Sequence, residues 1–393
     1  PRQPSVSKST KPEDIRFAYK ESAYAQKGFV ENEIANIEIS GNVRGVRFGF
    51  INVRPIVYDA STNTIKVRNN IELEVTFKNA NPYETQHLFE ATYSPYFINF
   101  YNILFNKDIY DEHPDLLQTP VHMIVIADRM FEEVMQPWIE WKTKKGFYLN
   151  VNYTDEIGSS YNTIKKFVAE TYNEGVSNGE APSFVVLFGD TPQIPATVSG
   201  ETQHVTDLYY GSVDGDIYPE MYFSRMCCET TGEMQSLIEK ILVYEQYTME
   251  DPSYLNNVLL IAGADEMWNP KVGQPTIKYG TKYYYNYEHG FDNVYDYLSF
   301  PYDGCYDHLN EGVASVNYTA HGSYQAWTEP EFSVYHANNL ANEGKYFLAI
   351  GNCCDAANYG YNDVCLAESM IRGFRKGAFS YIGAAPPTNW FED

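Results

Sequence analysis

The sequence predicts an α/β protein: two doubly wound parallel-sheet subdomains in series, preceded by an antiparallel β module. Three observations predict this. Short apolar runs bounded by Gly and Asn, such as Val121-His-Met-Ile-Val-Ile-Ala and Asn257-Val-Leu-Leu-Ile-Ala-Gly, have the composition of strands buried on both faces. Amphipathic stretches of helical length separate these runs, which gives βαβ units and hence parallel sheets. Ahead of them, residues 28–77 form short alternating runs separated by Asn, Ser and Asp, the pattern of antiparallel strands.

In chain order, residues 1 to about 25 are polar and read as a tail or connector. Ala35-Asn-Ile-Glu-Ile-Ser alternates, Gly41-Asn reads as a turn, and Val43 to Val53 resumes as a strand. Strands follow at Ile56-Val-Tyr, Thr64-Ile-Lys-Val and Ile71-Glu-Leu-Glu-Val-Thr-Phe. Tyr96 to Phe105 reads as an aromatic connector into Asn106-Lys107-Asp108. The next segment alternates strand and helix: strand 121–127, helix 131–144, strand 147–151, helix 161–172, strand 184–190 and a long helix 231–249 that closes this half. A second round begins at Asn257. It has a helix over 274–287, a strand at Val294-Tyr-Asp-Tyr, strands ending near His321 and Cys354, a helix near 364–374 and a strand at Ala378-Phe-Ser-Tyr-Ile-Gly. The boundaries are therefore set at 1–107, 108–250 and 251–393.

The 393 residues suffice for two or three domains with proper cores. A formal net charge of −24 makes nucleic acid and anionic membranes poor partners and draws in cationic peptides. No apolar run approaches the roughly eighteen residues of a membrane span. Six cysteines in a chain of this length make no disulfide scaffold, and none has zinc spacing. The chain opens on Pro1-Arg-Gln with neither Met nor signal peptide, so an internal fragment is expected.

Two stretches carry the chemistry. Ser315-Val-Asn-Tyr-Thr-Ala-His321-Gly-Ser ends a buried strand in a histidine, and Tyr346-Phe-Leu-Ala-Ile-Gly-Asn-Cys-Cys354-Asp ends another in cysteine. Either residue alone is ordinarily packing, because free Cys is among the most buried residue types. Open α/β sheets place their chemistry beyond the carboxyl ends of strands. If the two strands are neighbours, imidazole and thiol share one rim, the minimum for a cysteine nucleophile. Strand alternation lets only one of Cys353 and Cys354 face the histidine.

These two stretches resemble the active-site strands of the gingipain family of cysteine peptidases, which have a caspase-like fold, and are most similar to its lysine-specific members. Val205-Thr-Asp-Leu-Tyr-Tyr, Val213-Asp-Gly-Asp, Leu260-Ile-Ala-Gly-Ala-Asp, Gln274-Pro-Thr-Ile-Lys-Tyr and Gly377-Ala-Phe-Ser-Tyr-Ile-Gly extend the similarity from about residue 108 to the end. The first hundred residues resemble the latter part of a gingipain prodomain. The family's catalytic domain continues beyond Asp393 and is followed by an immunoglobulin-like module, so truncation at the C-terminus is expected.

The resemblance implies a latent secreted or bacterial cell-surface endopeptidase cleaving after lysine, with protein and peptide substrates and its own prodomain as intramolecular inhibitor. It makes Cys354 the nucleophile, with His321 as general base and acid. The backbone N–H groups of Gly322 and Cys354 would form the oxyanion hole. Asp265 reads from pattern alone as a cap or turn residue; the resemblance makes it the residue that orients the imidazole. It also places Trp268 by the active site, and Asp393, Thr319 and Asn352 around a pocket for the substrate lysine. Thr319 and Asn352 each precede a catalytic residue by two, which puts them on the same strand face. A compact carboxylate suits an ammonium, whereas arginine favours a planar bidentate partner.

Asp214-Gly-Asp216-Ile-Tyr218-Pro-Glu220 spaces hard oxygen ligands as calcium sites do. A polar turn would show the same pattern, and the resemblance favours structural calcium, with no organic cofactor. One departure stands out: the family has His-Gly-Ser-Glu where this chain has His321-Gly-Ser-Tyr324. The junction Lys107-Asp108 falls where the family's mature chain begins, so a lysine-specific enzyme could release its own prodomain there. Arg44, Arg47 and Lys27 are the basic residues of the β module considered as pocket plugs. The competing readings are the same fold with arginine or other specificity, and an inactive adhesin or binding module.

Overall fold

The computed structural model describes residues 3, 5–8, 10–30, 33–106, 120–200 and 203–390. The N-terminal module contains two antiparallel hairpins, β1 (Ala35–Val43) with β2 (Val46–Val53) and β3 (Ile56–Asp59) with β4 (Thr64–Val67). The first turn is not at Gly41-Asn42. β1 continues through a bulge between Ile39 and Gly41, and the chain reverses at Arg44 (φ 48°) and Gly45 (φ 74°). Two left-handed residues make the twist-matched hairpin turn, and Arg44 is held in it by a buried side chain described below. Residues 71–77 are not a strand: Leu73, Val75 and Phe77 are exposed, and alternation alone supplies no ladder partner. Sequence reading also missed α1 (Pro82–Thr92), capped by Asn81, and the expected aromatic connector contains α2 (Ile98–Ile103). Val43, Val46, Phe89, Phe97 and Tyr101 form this module's core, against which Tyr218 of the following region packs.

Two all-parallel sheets follow. The first contains β5 (Val121–Ala127), β6 (Phe147–Tyr153), β7 (Phe184–Phe188) and β8 (Tyr222–Met226) in the order β8-β7-β5-β6. Helices α3 (Gln136–Lys144) and α4 (Tyr161–Asn178) cover it from opposite faces, α4 starting at a Ser160–Thr163 capping box and ending on left-handed Gly179. Alternation along β5 shows the winding: Ile124 and Ile126 pack towards α4, Met123 and Val125 towards α3.

The second sheet contains β9 (Asn257–Ala262), β10 (Asn293–Tyr297), β11 (Ser315–Thr319), β15 (Phe347–Asn352) and β16 (Ala378–Gly383) in the order β10-β9-β11-β15-β16. A small antiparallel sheet of β12 (Gly322–Ser323), β13 (Ala326–Thr328) and β14 (Glu331–Ser333) leaves the end of β11; nothing in the sequence pattern announced it. Helix α6 (Gln274–Tyr283) covers one face and α7 (Leu366–Arg372) the other. Helix α5 (Thr231–Glu245), read as closing the first half, serves both. Leu237 and Ile238 join one core with Phe188 of the first sheet and Phe347 of the second, and Tyr244 stacks on Phe379 at 4.1 Å.

Candidate active site

The site lies at the carboxyl ends of three adjacent strands. β11 and β15 pair with Thr319 opposite Asn352, so Ala320-His321 and Cys353-Cys354 leave the sheet side by side. β9 flanks β11 with Ala262 opposite Thr319, and Asp265 follows from its end.

His321 Nε2 lies 3.0 Å from Asp265 Oδ2. The other carboxylate oxygen accepts the backbone N–H of Met267 at 2.9 Å and of Trp268 at 2.6 Å. One side chain thus closes a turn and fixes the ring, leaving Nδ1 for proton transfer. Trp390 stands edge-on to the imidazole with centroids 5.2 Å apart, and stacks on the buried Trp268 at 5.9 Å.

Cys354 is buried, and its Sγ receives the Thr388 N–H at 3.3 Å. Among the described residues no hydrogen bond joins thiol to imidazole. Cys353 belongs to the core with Tyr318 and Trp327. A Cβ on Gly322 would lie 2.6 Å from Cys353 Sγ, so glycine here lets the chain after His321 lie against the cysteine pair. The remaining thiols are buried; burial pushes Cys228 and Cys305 up to about 12 and raises Cys227 and Cys365 as well.

A further residue of the site, with no signal in the sequence, is Lys8 in the polar N-terminal stretch. Its segment lies antiparallel to residues 388–390: Lys8 N–H donates to Thr388 O at 2.9 Å, Trp390 N–H to Val6 O at 3.3 Å, and Ser7 bridges Asn389. The Lys8 side chain is fully buried; Nζ donates to Asn352 O at 2.9 Å and Oδ1 at 3.2 Å, 5.1 Å from the Trp390 ring centroid. Lys27 and Arg47 are exposed, and Arg44 is elsewhere. Its guanidinium, buried, donates to the carbonyls of Thr92 (2.5 Å), Pro182 (2.7 Å), Glu220 (2.9 Å) and Ala181 (3.2 Å). Arg44 therefore anchors the module rather than plugging a pocket. Thr319 is buried, its hydroxyl donating to Asn317 Oδ1 at 3.4 Å. Asp393, Lys107 and Asp108 lie outside the described residues.

Asp214, Asp216 and Glu220 present carboxylate oxygens within 4.8 Å of one another around left-handed Gly215. Glu220 is 3% exposed; Oε2 accepts the Val213 N–H at 2.8 Å, while Oε1 is buried with no partner. Burial pushes its carboxyl up to about 7. A buried carboxylate with one unpartnered oxygen, grouped with two further carboxylates, is a donor set that fits a hard divalent cation. A second cluster, unforeseen from sequence, joins the two sheets: Arg372 Nη2 bonds Asp190 Oδ2 at 2.6 Å and Glu368 Oε1 at 2.7 Å, with Cys227 Sγ 3.1 Å from Asp190 Oδ1.

Residues 116–389 match the model of peptidase family C25 and residues 1–106 that of the C25 propeptide. The chain belongs to peptidase family C25. It is 51% identical to Lys-gingipain W83 of Porphyromonas gingivalis across 100% of its own length, but spans only 23% of that relative. It is 27% identical to Gingipain R2 of the same species, across 96% of its length and 51% of that relative. Among solved structures it resembles one titled "Structure of Protease" (51% identity, TM-score 0.69, 73% of this chain and 64% of the other). It also resembles the complex of RgpB pro- and mature domains from P. gingivalis (25% identity, TM-score 0.59, 68% and 65%). The C25 fold is caspase-like, and here it comprises the two parallel-sheet subdomains with a prodomain ahead of them.

Proposed function

We propose that this C25 chain is the latent form of a cysteine endopeptidase that cleaves after lysine. The observation that carries the reading is Lys8: a buried lysine, paired by its backbone to residues 388–390, with its ammonium on Asn352, two residues from Cys354. A prodomain lysine seated this way is a substrate mimic, and its pocket is the one a substrate lysine would enter. Asp393, three residues beyond Trp390, would add the carboxylate, with Thr319 and Trp268 supporting the walls.

In the reaction the Cys354 thiolate attacks the lysyl carbonyl carbon, and the N–H groups of Gly322 and Cys354 receive the developing oxyanion. His321, oriented by Asp265, gives the thiol's proton to the leaving amine as the C–N bond breaks, leaving a thioacyl-enzyme. His321 then takes a proton from water, whose hydroxyl displaces Cys354 from the acyl carbon. Asp214, Asp216, Glu220 and the Tyr218 carbonyl would hold a structural calcium that fixes their loop. The propeptide and peptidase matches end and begin at 106 and 116, which supports release of the prodomain after Lys107, giving Asp108 as the new N-terminus. Among the described residues no helix is long and apolar enough to cross a membrane. Secretion or display on a bacterial surface is part of this proposal.

The test is cleavage of matched reporter peptides ending in Lys or Arg by the matured enzyme, with Cys354→Ala alongside. Lys cleavage lost in the variant supports the reading; Arg preference overturns the specificity. No cleavage by protein freed of its prodomain favours a binding module. Mass spectrometry finding a mature N-terminus other than Asp108 would exclude the processing site.

A further inference from the structure

The turn of the β1–β2 hairpin rests directly on the 214–220 loop. Asn42 N–H donates to Asp216 Oδ2 at 2.9 Å. Phe48 packs edge-on to the Tyr218 ring at 4.8 Å, and Arg44 donates to the Glu220 carbonyl at 2.9 Å. Residues 216, 218 and 220 are thus each held by the prodomain, and two of them, Asp216 and Glu220, form the carboxylate cluster with Asp214, Glu220 Oε1 being orphaned. Gly41 completes the fit: a Cβ there would lie 2.6 Å from the Tyr218 ring and collide with Asp216 Oδ2.

We propose that cation binding by this loop and prodomain binding are positively coupled. The inference rests on the calcium reading of the loop given above. The sign follows from which atoms each partner uses. Asp216 accepts one N–H on each oxygen, from Asn42 and from Tyr218, and each oxygen keeps a lone pair for a cation. Glu220 is gripped through its carbonyl, so its carboxylate stays available; Tyr218 is gripped through its ring, so its carbonyl stays available. Prodomain and cation therefore favour one loop conformation without competing for atoms. Without a cation the three carboxylates repel one another, and the prodomain must hold the loop against that repulsion. Linkage is reciprocal: the prodomain tightens cation binding, and the cation tightens the prodomain.

The experiment is calorimetric titration of calcium chloride into chelator-treated full chain: wild type, Asp214→Asn, Gly41→Ala and Phe48→Ala. The expected result is an Asp214-dependent calcium site whose affinity falls at least about fivefold in Gly41→Ala and Phe48→Ala. Hydrogen exchange of the 41–48 hairpin in wild type supplies a readout independent of variant folding; it slows at least about fivefold with calcium, and not in Asp214→Asn. An Asp214-dependent site with unchanged affinity in both variants and calcium-insensitive exchange would overturn the coupling and leave the site standing. Absence of any Asp214-dependent calcium binding would overturn the site and the coupling together.

Discussion

The ammonium of Lys8 lies 2.9 Å from the carbonyl oxygen of Asn352, more than three hundred residues away in sequence and two before Cys354. A strand-end carbonyl and its own side-chain oxygen together receive the charge, with the Trp390 ring beside it. A buried ammonium is tolerated only with such partners, and these groups hold that of Lys8 in place.

Latency should therefore depend on this residue. In the full chain, Lys8→Ala removes charge-assisted hydrogen bonds of about 1.5–3 kcal/mol each. The expected outcome is at least about tenfold faster labelling of Cys354 by a lysyl-based active-site alkylator in the uncleaved protein. Lys8→Arg should fall between the two. Equal labelling rates in wild type and Lys8→Ala would sink the substrate-mimic reading.

Asp265 is expected to act through the imidazole. Asp265→Asn preserves the turn that Oδ1 closes but presents an amide to His321 Nε2, disfavouring the productive tautomer. The matured variant should lose about 10²–10⁴-fold in kcat with KM little changed. A parallel rise in KM, or a changed tryptophan fluorescence from Trp268 and Trp390, would point to a structural role instead.

The apolar runs made the central strands of the two sheets legible, because strands buried on both faces have few polar positions to blur them. His321 and Cys354 were legible for the same reason: each directly follows such a run. Lys8 was not, since its pairing to Thr388 is tertiary and leaves no periodicity in a polar segment. The hairpin turn was misplaced because Gly41 is the obvious turn residue, whereas its glycine answers to Asp216 and Tyr218. Arg44 takes the left-handed turn position only because four carbonyls from distant segments await its guanidinium.

Arg44 is accordingly the prodomain's anchor. Arg44→Ala would leave the carbonyls of Pro182, Ala181 and Glu220 without their donor, at about 1–3 kcal/mol for each that stays buried. Arg44→Lys reaches fewer acceptors and should recover only part. In nicked protein the prodomain should elute with the catalytic part for wild type and separately for Arg44→Ala at micromolar concentration. Co-elution of the alanine variant would show that the anchor lies elsewhere.

Lys240 gives a pH dependence with a definite sign. Its ammonium is buried on α5 and donates to the carbonyls of Ile371 (2.5 Å) in the last turn of α7 and of Gly373 (3.2 Å) and Lys376 (3.1 Å) just beyond it. Burial outweighs these acceptors and pushes it down to about 7, against 10.5 when unfolded, with the Cys228 thiol opposing. Below about pH 7 both states carry the proton and this residue contributes no slope. Between about 7 and 10.5 the unfolded chain holds a proton that the folded one has lost, so stability rises with pH. The limit is about 1.4 kcal/mol per pH unit. Urea unfolding of the full chain at pH 6, 7.5 and 9 should show this rise in wild type and not in Lys240→Met, all other titrating groups being common to both. The variant is less stable throughout because three carbonyls lose their donor. Parallel curves for the two proteins from about pH 7 to 9 would mean that Lys240 stays charged, its three carbonyls outweighing burial.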